Sequence, residues 1–451
     1  MRPAAAAILL LGWGALPGCA ELRSAREAQD PASAGPGERT VTAEEIGLGP
    51  GTTLTLERGV ELAVRYSPSV ALARRAVDAA RARLRQARAE SRLQLSASGE
   101  AQVSGRKDVS GVEESFSASA SADLLLWDFG RTEALQRRAA LELAAAERDL
   151  ENARIEAAFA FQEAFFNVLK QIELVGIAEQ TVRQFEKRLE QVRGFVEVGT
   201  RVKYDLTKAQ VDLGNAQLER VRAQTALEVQ KAVLGNTLGL AEVPACDLQK
   251  PSGGPEPVPE GEALREEARR HPRLRAQEAR VAAASWAVDA AAADLLPSLS
   301  LRGSFTASGA LTPVDWVWSA GPRLAWLLFG GGSRLGRLAE AVAALRSARA
   351  EQARVEQQIF LELRQAEAAR EDARRSLEIL ELTALQAEEN LDLVQGRYAT
   401  GKATSVELTD AQVTLASVRG RKVQAEYDLR IAAARLRRAA GLPPLPGKGA
   451  R

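Results

Sequence analysis

Chemistry that depends on histidine or cysteine has almost nothing to build on in this chain. Among 451 residues there is one histidine, His271, and there are two cysteines, Cys19 and Cys246. Catalytic triads and zinc sites draw on clustered imidazoles and thiols. The sequence therefore implies no catalytic residues, no metal, no cofactor and no enzyme. His271 stands before Pro272 at a helix–helix junction and Cys246 lies in a proline-rich stretch, so both read as structural. Net charge is lacking too: 60 basic residues meet 59 acidic ones. That balance excludes a nucleic-acid binder working through bulk charge. Beyond the N-terminal segment there is no apolar run of about 18 residues, hence no candidate spanning helix.

The N-terminal segment reads as a signal. Arg2 precedes an apolar stretch, Ala4–Leu16, which ends in Leu16-Pro17-Gly18-Cys19. It is too short to span and has the layout of a cleaved export signal. A cysteine placed after small residues resembles a bacterial lipobox. The resemblance implies cleavage before Cys19 and lipidation of that residue, palmitate included. Ala20, rather than Asp, then implies sorting to the outer membrane. An acylated Cys19 leaves Cys246 without a disulfide partner.

What the chain has in abundance is Ala, Arg, Glu and Leu, the composition of long helices, and it has them twice. Residues 199–213 read GTRVKYDLTKAQVDL and residues 401–415 read GKATSVELTDAQVTL. Ser67-Pro68 matches His271-Pro272, and Leu238-Gly239-Leu240 matches Ala440-Gly441-Leu442. Trp127-Asp128-Phe129-Gly130 aligns with Leu327-Leu328-Phe329-Gly330. A duplication on this scale predicts pseudo-symmetric halves. The expected organisation is a signal at 1–18, a lipidated tether at 19–51, a first repeat at 52–240, a proline-rich linker at 241–259, a second repeat at 260–442 and a tail at 443–451.

Four segments alternate strictly. Leu93, Leu95, Ala97, Gly99, Ala101 and Val103 oppose Gln94, Ser96, Ser98, Glu100, Gln102 and Ser104; the stretches 116–126, 298–307 and 316–326 do the same. Period two with one apolar face is a half-buried strand. Strands of about ten residues with aromatic ends fit a membrane barrel. Between the strand pairs runs the other period: Leu143, Ala146, Leu150, Ala153, Ala157, Phe161, Ala164, Val168, Ile172 and Val175, then Val182, Phe185, Leu189, Val192 and Val196, step by threes and fours as a coiled-coil seam. A helix from Arg131 to Val198 would be about 100 Å long. Four strands cannot close, and an open edge cannot sit in lipid. Copies must therefore join: a dimer gives a tight barrel of about eight strands, a trimer gives twelve and room for a passage.

In this order, the duplicated halves, strand pairs, Phe-Gly turns and Val198-Gly199-Thr200 and Thr400-Gly401 tips resemble the TolC-type outer-membrane efflux proteins, and the lipobox resembles their lipoprotein branch. The resemblance covers about residues 52–442. It implies a mainly α fold with membrane β: a homotrimer whose 12-stranded β-barrel continues as an α-helical barrel into the periplasm. It also implies a passive exit duct of a tripartite efflux pump or type I secretion system. Its partners would be a periplasmic adaptor (membrane fusion) protein, an inner-membrane transporter and outer-membrane lipid, with no nucleic acid. Carried onto this sequence, Glu407 and Asp410 fall at an acidic aperture ring. Tyr398 and Asp205 fall at a gate tie, and Gly199 and Gly401 at the adaptor-docking turns. Ala403 stands where the gate often has Arg. The rival reading is a lipid-anchored periplasmic coiled-coil scaffold without a pore, which leaves the alternating strands unexplained.

Overall fold

The computed structural model describes residues 35–49, 51–105, 112–200, 202–240, 246–251, 253–254, 258–309 and 314–443. The signal, Cys19, about half of the tether and nearly all of the tail lie outside them.

The chain opens with β1 (Thr53–Leu54), α1 (Leu56–Tyr66) and α2 (Pro68–Ala89). The strands β2 (Gln94–Gly105) and β3 (Val112–Trp127) lead into α3 (Arg131–Glu197) and α4 (Lys203–Thr237). After β4 (Asp247–Leu248) the order repeats: α5 (Glu262–Arg269), α6 (Pro272–Ala293), β5 (Ser298–Gly309), β6 (Asp315–Ala325), α7 (Ser333–Ala399) and α8 (Ser405–Ala439). The halves agree to the residue where length matters. The long helices α3 and α7 are both 67 residues, the return helices α4 and α8 both 35, and α2 and α6 both 22. At about 1.5 Å per residue the long helices measure about 100 Å.

All four long strands form one antiparallel sheet in the order β2-β3-β5-β6. The two halves meet at β3–β5, with Asp123 opposite Arg302 and Ala120 opposite Phe305. The register keeps the alternation intact: Ser96 meets Ser121, Ser98 meets Ser119, and Ser304 meets Ser319, each pair hydroxyl to hydroxyl at 2.7–2.8 Å. One face therefore carries Ser ladders and the Arg302–Asp123 ion pair. The other carries Leu95, Phe305, Trp316, Trp318 and Leu324, all exposed in the single chain. The outer edges of β2 and β6 have no strand beside them among the described residues.

The helices end where glycine lets them. Gly199, Gly239, Gly401 and Gly441 all have φ between +70 and +76°. Each is followed by an amide that bonds back five residues, such as Thr200 N to Phe195 O at 2.9 Å and Lys402 N to Arg397 O at 2.8 Å. This is the Schellman closure, which favours glycine because the left-handed region is strained for side chains with a Cβ. At the sheet–helix bends the left-handed pairs are Phe129-Gly130 and Gly331-Gly332. The alignment of Phe129-Gly130 with Phe329-Gly330 is thus two residues out. The bend needs two positive-φ residues just before the helix, and in the second half glycines supply both.

The main core lies where α1, α3, α4 and α8 cross. Phe161, Phe165 and Tyr427 are fully buried there with Leu54, Leu62, Leu234 and Leu238. Gly59 of α1 makes the crossing close: a Cβ on it would fall 1.9 Å from the Phe161 ring. The linker contributes β4, which pairs in parallel with β1. The seam on α3 is buried at Phe161, Val168, Val182, Phe185 and Val192, whereas Ile172, expected within it, is exposed.

Candidate functional site

The α3–α4 and α7–α8 hairpins end at turns that lie at the far end from the sheet. At the second turn, Thr404 caps α8: its hydroxyl accepts from Glu407 N at 3.2 Å, and the Glu407 carboxylate accepts from Thr404 N at 3.1 Å. This capping box satisfies two amides that the helix start leaves free. Glu407 therefore has a structural task as well as an exposed carboxylate, while Asp410, one turn on, is exposed. Gly199 and Gly401 are exposed, and nothing lies within 4 Å of a Cβ built on either. Only their backbone conformation demands glycine.

The two hairpins are joined by a residue that the pattern of the sequence alone does not bring out. Arg188 of α3 is 5% exposed. Its guanidinium reaches the first turn of α8. Nη2 donates to Ser405 O at 2.6 Å and to Ser405 Oγ at 2.9 Å, and Nη1 donates to Thr409 Oγ1 and, at 3.3 Å, to Gln412 Oε1. Thr409 also donates to Asp212 Oδ2 at 3.4 Å, and Lys208 pairs with Asp212 at 3.2 Å. Arg188 Nε is buried without a hydrogen-bond partner among the described residues. A cation beside the N-terminal turn of α8 opposes the helix dipole. Burial pushes its pKa down, and the charges of Tyr398, Asp212 and Asp205 oppose that shift. The pair expected as a gate tie, Tyr398 and Asp205, therefore shares an electrostatic neighbourhood with Arg188. The signal that could have found it is spacing: Val182, Phe185, Arg188 and Val192 lie on one stripe, so an arginine occupies a core position. Above the cluster, α3, α4 and α8 enclose a groove of about 690 Å³ lined by Phe185, Asp212, Ala216, Val413 and Ser417.

His271 is a packing residue. It is 3% exposed, its Nδ1 accepts from Arg273 N at 3.1 Å to cap α6, and Gly441 packs against its ring. Burial is the main cause that lowers its pKa to about 4. No group of three or more His, Cys, Asp or Glu stands together to hold a metal among the described residues. No described helix is long and apolar enough to cross a membrane.

The family model described as "Outer membrane efflux protein" matches residues 60–240 and 263–442. Outer membrane protein OprJ of Pseudomonas aeruginosa is 27% identical over 293 residues, 63% of this chain, and the match spans 61% of the length of that relative. A solved membrane protein from Pseudomonas aeruginosa superposes with a TM-score of 0.76 at 25% identity, covering 86% of this chain and 90% of that one. The open state of the Neisseria gonorrhoeae MtrE outer membrane channel gives a TM-score of 0.76 at 21% identity, over 86% and 89% of the two chains, a likeness of fold.

Proposed function

The chain belongs to the outer membrane efflux protein family, and from that membership we propose that it is the passive exit duct of a tripartite efflux pump or type I secretion system. The observation that carries the proposal is the sheet. It has an apolar face, a Ser-lined face and two open edges. In lipid those edges must be satisfied, and three copies would close a twelve-stranded barrel with the hydroxyl ladders facing water. The long helices would extend the wall into the periplasm. Exposed stripes on α4 (Val211, Leu218, Val221, Val229) and α7 (Ile379, Leu382, Leu385, Leu393) supply faces for neighbouring copies. Lipidated Cys19 would add an anchor in the outer membrane. A periplasmic adaptor protein would dock at the Gly199 and Gly401 turns and connect the duct to an inner-membrane transporter.

In this reading the hairpin ends form the entrance. Glu407 and Asp410 line its aperture. Tyr398 and Asp205, with Arg188 between the hairpins, hold it narrow. Three copies of each carboxylate around an axis attract cations. The test is conductance of the purified protein in planar bilayers, with multivalent cations added on the helical side. The parent should conduct and be blocked; Glu407→Gln with Asp410→Asn should weaken the block by about tenfold or more, the effect of about 1.4 kcal/mol in binding. Undiminished block removes these residues from the aperture. A folded protein that never conducts, with or without Arg188→Gln, favours the scaffold.

A further inference from the structure

The junction between sheet and helices holds a charge cluster that the duct itself does not require. Asp294 ends α6 and is mostly buried, with its side chain 14% exposed. A carboxylate at a helix C-terminus is opposed by the dipole, yet three arginines surround this one: Arg131 at 3.2 Å, Arg337 at 3.4 Å and Arg334 at 3.6 Å. Beside them is a cavity of about 470 Å³ that Arg131, Arg323 and Arg334 line together with Asp128 and Asp294. Asp128 is already engaged, accepting from Thr132 N at 2.8 Å and from its hydroxyl. Three guanidinium groups, Arg131, Arg334 and Arg337, thus stand by two carboxylates, while Arg323 rises from the Ser-lined face opposite Ser300. Arg334 Nη1 is buried with no hydrogen-bond partner among the described residues. Buried guanidinium nitrogens are normally paired, and leaving one unpaired is costly. Gly332 precedes α7 without a side chain to cap it, so the positive pole of a 67-residue helix adds to the excess.

The apolar surroundings narrow the class of anion. Trp326 lines the same cavity, with its indole N–H donating to Leu295 O at 3.1 Å. Next to it Leu328 and Phe329 are 78% and 85% exposed. Aromatic and leucine side chains beside arginines are the composition of a membrane interface. We propose that the Asp294 arginine cluster binds the phosphate of a membrane phospholipid headgroup, its acyl chains lying against the exposed aromatic and leucine side chains beside the cavity. The proposal rests on the outer-membrane reading above.

The test uses the full chain reconstituted into vesicles of zwitterionic and anionic glycerophospholipids, then extracted and washed in detergent. Phosphorus retained per chain is counted, and insertion is read separately by protease protection of the strands. The parent should keep about one phospholipid per chain. Arg131→Gln leaves the Arg334 and Arg337 ion pairs of Asp294 in place and should retain about tenfold less, the loss of one charge-assisted hydrogen bond. Arg334→Gln, the second variant, should do the same with unchanged oligomer mobility. Equal retention by parent and both variants overturns the site. Displacement by millimolar inorganic phosphate alone assigns the cavity to a free anion and overturns the lipid. A parent that inserts but keeps no lipid overturns the site alone; one that never inserts overturns the membrane reading and the site with it.

Discussion

Arg188 and His271 show opposite uses of a buried polar side chain. Arg188 spends its hydrogen bonds across the gap between hairpins, so its removal should matter to docking more than to either hairpin. Arg188→Gln is expected to cost about 2–3 kcal/mol of that docking, the worth of hydrogen bonds to a charged group. Single-channel recording should show a higher open fraction, and a variant gating like the parent would detach Arg188 from the entrance. Lysine should not rescue it, because an ammonium cannot span Ser405 and Thr409 as the fork does. His271 acts through neutrality. Its pKa falls from 6.5 to about 4 on folding, so between those values the unfolded chain binds more protons. Stability is then full above pH 6.5 and declines as the pH drops toward 4, by about 3 kcal/mol at most. His271→Ser, the residue its counterpart Ser67 already has, should flatten denaturant midpoints over that window; an unchanged slope would assign the acid sensitivity elsewhere. The structural role of His271 was legible in its Pro272 neighbour. The role of Arg188 was not, because its partners lie more than two hundred residues away and nothing local announces them beyond a charge on an apolar stripe.

Elements were the most legible level. The seams, the alternating strands and the glycine stops are all local signals, and the helices start and stop where those signals fall. The bends into α3 and α7 were harder. Phe-Gly occurs in both halves, yet the backbone requirement is two left-handed residues, and Phe129 meets it at φ 56° where the second half uses Gly331. A matching dipeptide misled because composition, not conformation, is what a sequence alignment compares. At the hairpin turns conformation and composition agree. Gly401→Ala should cost about 1 kcal/mol through φ alone, since a methyl there meets nothing within 4 Å. Amide exchange around residues 398–402 should quicken by roughly fivefold, with Gly401→Asn recovering most of the loss; equal exchange in all three proteins would mean the turn is held by its surroundings.

For the whole molecule, the duplication was legible in the sequence, while the strand order β2-β3-β5-β6 is a long-range fact that no segment encodes by itself. It decides which edges remain: β2 from the first half and β6 from the second. In a closed ring each joint should therefore be β2 against the β6 of the next copy. Ser98→Cys combined one at a time with cysteines from Asp315 to Arg323 should give disulfide-linked multimers on oxidation. Within one chain two strands separate those positions, so a product confined to cross-linked monomer would refute the joint.

The β3–β5 seam joins the two halves inside one polypeptide, so in a ring of copies only the joints between chains would be open to exchange. Each of those would be formed by a strand of 12 residues and one of 11, and releasing one subunit would break two joints at once. In lipid, where no water can take over the freed peptide groups, such a release has no low-energy intermediate. Subunits of such a ring should not swap. In a ring so joined a damaged copy would be retired only with its whole ring, and turnover in the cell would proceed by complete units rather than by repair.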